Sequence, residues 1–598
     1  MKTIAAIGVF LVLFSAGKAQ AQVDAAAGSA VANSSDPISR LTQTEVPTFP
    51  DEVQMTVPPV IERPLGVDEG PRVYVDRFII QVDGEIANAW RNGAFIDDLQ
   101  RMFDNRRSTQ GPDGMTIGQL EQLTREATDW LRNEGLMVGR VYLPVQTVES
   151  GEVTVAVLQG RLGAVEPDGN NMYSSQKLLR PFAALEGQPI DRDAVDRVLR
   201  QINDYPGLTA TGVFAPGNEV GTTALSLRVR NEKRFNSSIG LDNFGTEFTG
   251  EYRARFSTRA NNVTGNADFI DFDVLGTQEP DNALFGSFLY SVPLFGPGRN
   301  VSFRYQNNDF DITGEAFPND VVGTTEIYAL GYEHVLRQGR DFNASFIAGL
   351  AKKNAELEEL QLLGPTFLGR DKLTVGSFGV TFDFIDRQAG GINRGSLIYM
   401  HGFDDFLGSL LENDPESSRS IPNLGINAGG KFDKWYMNFT RLQRFSDTVT
   451  MLLRLEAQQS DDFLVSLEQF SLGGPTSVRA YSPSQFLVDS GAFASVEMIF
   501  AAPGFHSKPA FNNRSWGEVL QLSVFYDYAG GYRSDFLDLN RNTLSDDENL
   551  DLDGIGIGLR FNPTAQFSAR LDAAWPSGGI EPDNGREPQL YFSLNFTF

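Results

Sequence analysis

Side chains that could do covalent chemistry are few and scattered in this chain of 598 residues. Its three histidines, His334, His401 and His506, do not fall in the His-Glu-x-x-His spacing that sets two zinc ligands on one helix face. No Gly-x-Ser-x-Gly elbow occurs, and with no cysteine there is neither a thiolate nucleophile nor a disulfide framework. No catalytic residue, metal site or cofactor is expected. The run Gly554-Ile555-Gly556-Ile557-Gly558 is not a phosphate loop, because its glycines alternate with apolar residues as in a strand. The sharpest electrostatic demand comes from an arginine. Arg479 stands in Gly473-Gly474-Pro475-Thr476-Ser477-Val478-Arg479-Ala480-Tyr481, after a tight turn and between apolar neighbours. A charge so placed needs a partner, and Asp527 is one candidate. The same residues read alone also fit a solvated surface arginine beside an unrelated aspartate.

The elements around Arg479 are strands. In 447–457, Val449, Met451, Leu453, Leu455 and Ala457 share one face, with Thr450, Arg454 and Glu456 opposite. In 492–500, Ala492, Ala494, Val496, Met498 and Phe500 oppose Ser495 and Glu497. A period of two marks a sheet whose faces meet different media. The loop between them, 458–490, far exceeds the usual two to five residues of a hairpin connection, which marks it as functional. In Glu518–Tyr528, Leu520, Leu522, Val524, Tyr526 and Tyr528 form an apolar face, and Asp527 points the other way. If the apolar face meets lipid, Asp527 faces an interior into which the long loop could fold.

The run Phe470 to Tyr481, followed by Phe525-Tyr526-Asp527-Tyr528, resembles the lid-loop and partner-strand motifs of two-partner secretion outer-membrane transporters of the TpsB type. These form the hemolysin/hemagglutinin secretion-activation family, within the superfamily of POTRA-bearing outer-membrane barrels. The resemblance implies that Gly473, Gly474, Val478, Arg479 and Tyr481 form the lid-loop motif. It also implies that Asp527 and Phe525 are the loop's partners in the lumen. Ala480 and Ala529 stand where the family usually has glycine, which bears on the geometry of the loop tip but not on the charge pair.

The composition agrees with a membrane barrel: 45 Phe and 59 Gly in a chain that is slightly polar overall. The net charge of −27, without a basic stretch, argues against nucleic acid as a partner. Met1-Lys2, the apolar run Ile4–Phe14 and Ala19-Gln20-Ala21 describe a signal peptide over 1–21. Residues 22–70, with Pro47, Pro50, Pro58, Pro59 and Pro64, read as a linker with a possible plug segment. Mixed α and β patterning follows, with a capping box from Thr116 to Gln119 and an apolar stripe at Leu120, Leu123, Ala127 and Leu131. The phrases Tyr142-Leu143-Pro144-Val145-Gln146 and Gly151-Glu152-Val153-Thr154-Val155 resemble the first POTRA domain of the same family. The pattern then repeats, giving POTRA 1 at 71–161 and POTRA 2 at 162–232.

Residues 233–598 read as sixteen strands, beginning near 235, 249, 268, 284, 299, 323, 341, 372, 393, 433, 447, 491, 517, 552, 566 and 589. An even count suits an antiparallel outer-membrane barrel with the lid loop 458–490. Within 284–290, Phe285 and Leu289 oppose Phe288 and Tyr290, which suggests a shifted boundary or protein packed inside the wall. Loops 406–422 and 532–551, with Glu412, Asp414, Glu416, Asp546, Asp547 and Glu548, read as exposed outside the cell. The terminal Phe598 resembles the signal read by the barrel-insertion machinery.

The expected fold is thus a transmembrane β-barrel of sixteen antiparallel strands preceded by two periplasmic α+β POTRA domains. The expected function is translocation across the bacterial outer membrane. The resemblance implies a secreted partner protein with an N-terminal secretion domain, recognised in the periplasm and exported unfolded. An assembly factor for outer-membrane proteins and a ligand-specific porin are the alternatives.

Overall fold

The computed structural model describes residues 55, 56 and 65–598, apart from 85–89, 149, 220, 279–282, 295, 297, 313–320, 362–363, 422–424, 533–536, 539–542 and 545–548. The signal peptide at 1–21, most of the linker, and Asp546, Asp547 and Glu548 lie outside the described residues.

The N-terminal region holds two α+β units. In the first, Arg77–Val82, Glu152–Leu158 and Arg140–Tyr142 form a three-stranded sheet with Glu152–Leu158 at its centre. Helices Phe95–Ser108 and Ile117–Asn133 cover it. The second helix starts where it does because Thr116 and Gln119 satisfy each other's backbone N–H groups reciprocally. Its apolar stripe then falls on the sheet side, burying Leu120, Leu123, Ala127 and Leu131 beside Phe78 and Phe103. Residues 65–70, read as linker, are ordered against this helix. Thr116 Oγ1 donates to the Val67 carbonyl and Gly118 N to that of Glu69.

The second unit repeats the plan with short helical turns over 175–182, helix Arg192–Asn203 and strands Arg161–Asp168, Leu208–Pro216 and Thr222–Glu232. Asp191 caps the helix through Ala194 N and also accepts from Trp90 Nε1 at 2.7 Å, tying the two units together. Met55 and Thr56, also within the expected linker, pair in parallel with Gly212 and Val213 at the edge of this sheet.

Residues 235–597 supply sixteen strands that close into an antiparallel barrel, the first (Phe235–Asp242) bonded to the last (Gln589–Thr597). Outward positions are apolar and exposed, among them Val496, Leu522, Val524, Tyr526, Ile555, Ile557, Leu571, Leu590 and Phe596. A surface of this kind is stable only against lipid. The eighth strand, Gly364–Asp386, begins earlier than the expected 372 because Arg370-Asp371-Lys372 breaks the apolar alternation without breaking the ladder. Phe285 is buried on the inward face while Leu284 is exposed.

Phe103 is fully buried with its ring centroid 5.0 Å from that of Phe78. Phe103→Ala should cost the first unit about 3–5 kcal/mol. Denaturant titration followed by tryptophan fluorescence (Trp90 and Trp130 lie in this unit) should show that unit melting early while the barrel stays folded.

Candidate functional site: a lid folded into the barrel

The eleventh strand (Val449–Ser460) and the twelfth (Ser490–Ala501) are joined by the expected long loop. It turns inward as a hairpin, with Phe470–Leu472 paired to Phe486–Val488. At its tip Gly473 and Gly474 take φ of +99° and +94°, and a Cβ at either would stand under 3 Å from the returning chain at Ser482 or Pro483. Only glycine fits both demands. Gly474 N donates to the carbonyls of Val478 and Tyr481, which folds the next residues into a compact knot.

Arg479 projects from that knot and is wholly buried. Its Nε and Nη2 donate to the two carboxylate oxygens of Asp527 at 2.7 and 2.8 Å, and its backbone N donates to Asp527 at 3.1 Å. Nη1 reaches Glu497 at 3.2 Å and Nη2 reaches Ser495 Oγ at 3.2 Å. Ser495 Oγ in turn donates to Asp527 at 2.7 Å. The guanidinium carbon lies 3.2 Å from the centroid of the Phe525 ring, so Phe525 supplies the face on which the cation rests. A bidentate, stacked arginine is held by geometry as well as by charge, and lysine could not replace it. Val478 is buried, and Tyr481 donates toward the carbonyls of Asp553 and Ile580 while accepting at its own carbonyl from Tyr591 at 2.7 Å. All seven residues singled out in the sequence therefore meet in one place inside the barrel.

Comparison with known proteins bears on what such a barrel is. Residues 221–514 match the family model "Haemolysin secretion/activation protein ShlB/FhaC/HecB", and residues 107–160 match "POTRA domain, ShlB-type". The chain belongs to the ShlB/FhaC/HecB family. It is 23% identical over 487 residues to the heme/hemopexin transporter protein HuxB of Haemophilus influenzae, covering 81% of this chain and 82% of that one. It is 24% identical over 463 residues to the outer membrane transporter CdiB of Escherichia coli, covering 75% and 73%. The solved structure of CdiB from Escherichia coli superposes with a TM-score of 0.63 at 21% identity, over 90% of this chain and 93% of that one. As a member of this family the chain is an outer-membrane protein, and its POTRA region lies in the periplasm.

Within this ShlB/FhaC/HecB barrel, several charged residues join the site that motif reading had not assigned to it. Glu497 also binds Arg560 at 2.7 Å, and Asp572 binds Arg570 at 2.7 Å. All lie on inward faces, so the signal was charge at alternate positions of a membrane strand. The two alanines adopt no left-handed backbone. Ala480 is instead accommodated across the gap: a Cβ on Gly554 would stand 2.5 Å from the Ala480 Cβ, and one on Gly556 would stand 2.2 Å from the Phe525 ring. The inward glycines of the fourteenth strand (Asn549–Phe561) leave room for the lid and its aromatic support.

A second set of contacts fastens the outer part of the lid. Glu468 is held by Lys353 at 2.7 Å and Lys434 at 2.8 Å, from the seventh and tenth strands. Burial alone would push the Glu468 carboxyl up, but the two ammonium groups outweigh it and hold it down at about 2. Asp489 at the lid's base takes a bidentate bond from Arg419 at 2.6 and 3.1 Å. Arg419 belongs to the loop between strands Gly391–Gly402 and Phe432–Arg444. That loop is exposed at Glu412 and Glu416, as expected, but its inner half is buried at Leu410, Ser417 and Ala428 and docks on the lid. The histidines do not converge: His334 lies beside Tyr332, His401 beside Asp433, and His506 in the turn after the twelfth strand.

Two outcomes are expected. Gly554→Ala should expel the lid tip, seen as new protease cleavage near residues 473–485, and the pair Ala480→Gly with Gly554→Ala should restore protection. Because the carboxyl of Glu468 titrates lower in the folded protein than its ordinary 4.5, its contribution is complete above that pH and fades as pH falls toward about 2. Lid protection measured from pH 6 downward should hold to about 4.5 and weaken below it, whereas Glu468→Gln should abolish that part of the profile.

Proposed function

We propose that this outer-membrane transporter takes an unfolded secreted protein from the periplasm, recognises it through the two α+β units, and passes it through the barrel once the lid has moved. The single observation that carries this reading is the occupied bore. A hairpin lies inside it, and Phe470, Leu472, Val478, Ala480 and Tyr481 pack with wall residues Phe493, Phe525, Ala529, Leu552 and Ala574. A chain can cross only if that hairpin leaves, so the bonds of Arg479 are the lock. The α+β units contribute sheet edges, to which an extended client can add as a strand. The relatives named above are a heme/hemopexin transporter protein and an outer membrane transporter, and this kinship supports a transport role over an enzymatic one. The partner class is a secreted protein with an N-terminal secretion domain, the class that the family resemblance implies. Outer-membrane lipid and the barrel-insertion machinery are the further partners, one around the apolar belt and the other during biogenesis. Transport of this kind requires neither a cofactor nor covalent chemistry on the cargo. Direction comes from the cargo folding outside the cell.

Removing one member of a buried, hydrogen-bonded ion pair costs about 3–5 kcal/mol, enough to unseat the lid without dissolving a sixteen-stranded ladder. Arg479→Ala should therefore insert normally, keep its heat-modifiable mobility on gels, and lose most secretion of its partner. The decisive experiment compares the culture medium and the outer membrane of cells with and without this chain. Loss of one secreted protein supports the reading, while loss of many barrels from the membrane would make it an assembly factor instead.

A further inference from the structure

One lumen arginine has no carboxylate. Arg454, on the inward face of the eleventh strand, is only 5% exposed. Its Nη1 lies 3.5 Å from the Thr476 carbonyl of the lid, at the limit of a hydrogen bond, and its Nη2 has no partner among the described residues. Its guanidinium carbon stands 5.3 Å from the centroid of the Phe493 ring. Among the described residues it forms no ion pair, which is a costly way to bury a cation.

The carboxylates nearby do not depend equally on the lid. Were Arg479 withdrawn, Glu497 would keep Arg560 at 2.7 Å and Arg570 at 3.9 Å, and Asp572 would keep Arg570 at 2.7 Å. Among the described residues, Asp527 would keep only the Ser495 hydroxyl. Lid release thus leaves one buried anion without a cation, in a wall that already holds one buried cation without an anion.

The strand register places the two in line. Arg454 pairs with Ser495, and Ser495 pairs with Asp527, so the three occupy one inward-facing row across adjacent strands. Two strand spacings separate the outer members, roughly 10 Å between Cα atoms, a span that an extended arginine and an aspartate close between them. The seated lid both fills the space above Ser495 with Arg479 and holds Arg454 aside through Thr476. A single movement of the lid removes both obstacles.

We propose that Arg454 is the reserve counter-ion of Asp527: when the lid leaves, its guanidinium crosses Ser495 and takes the place of Arg479. The inference rests on the reading that the lid vacates the bore during export. It makes Arg454 a positioning residue for the open state, not a part of the closed lock. The exchange keeps Asp527 neutralised while a client passes and lowers the free energy of the open barrel. Arg560 and Arg570 cannot serve, because each is already committed to Glu497 or Asp572.

The test is a double-mutant cycle on the full-length protein in planar lipid bilayers, reading open probability with no client present. Arg454→Ala should lower open probability about tenfold or more, the scale of one charge-assisted hydrogen bond lost from the open state. In the Asp527→Asn protein, where no carboxylate can be stranded, the same change should have no further effect. Arg454→Lys should recover part of the loss, and Arg454→Met serves for the cycle if the alanine variant does not insert. If Arg454 merely ties the lid down through Thr476, its removal will raise open probability. That result, or an equal effect of Arg454→Ala with and without the Asp527 carboxylate, overturns the proposal. Secretion of the partner is scored separately in cells, so a failed cycle beside intact export rejects the reserve role while leaving the transporter reading in place.

Discussion

A guanidinium with none of its surface in water must be met on every side, and that requirement organises the interior of this barrel. Arg479 needs two carboxylate oxygens in its own plane, a further acceptor at Nη1 and an aromatic face beneath it, and it receives them from Asp527, Glu497, Ser495 and Phe525. Those four come from two neighbouring strands, so no local segment could supply the site by itself. The wall must first exist as a sheet in register before the lid has anywhere to bind. Conversely, Asp527 would be a poor residue for an empty wall, since it buries a charge that the guanidinium of the lid offsets.

The lid is fastened at two depths by different means. At its tip the contacts are bidentate, stacked and backed by apolar packing, and small residues at Gly554 and Gly556 clear the way for Ala480 and Phe525. Toward its base, Glu468 draws on Lys353 and Lys434, and Asp489 on Arg419. Arg419 comes from a different loop, so the outer loop and the lid share one buried ion pair. Tip and base are therefore separable in principle: one is anchored chiefly in the wall, with a contact to the loop at Ile580, the other partly in the loop that carries Arg419.

Much of this is legible before any coordinates. Alternation with a period of two marks the barrel strands, because half of each strand faces lipid and half faces an interior. The reading slips where that contrast fails, as at Arg370-Asp371-Lys372, where the ladder continues through charged residues. The capping box at Thr116 and Gln119 is local chemistry and can be read locally. The contact of Arg479 with Asp527 is legible through the isolation of one charge in an apolar loop and the inward phase of one aspartate. Which of Arg454, Glu497, Arg560, Arg570 and Asp572 meet each other is not, since that depends on register summed across five strands. The bonds of Arg419 and Glu468 are less legible still, because long polar loops carry no periodicity from which their folding could be read.

The strand that closes the barrel also holds the lid. Tyr591, in the last strand, donates its hydroxyl to the carbonyl of Tyr481, and the same strand pairs with the first through residues 593–597. One strand thus contributes both to sealing the cylinder and to steadying the stopper. A substitution that loosened this strand would therefore weaken the seam and the plugging of the bore together.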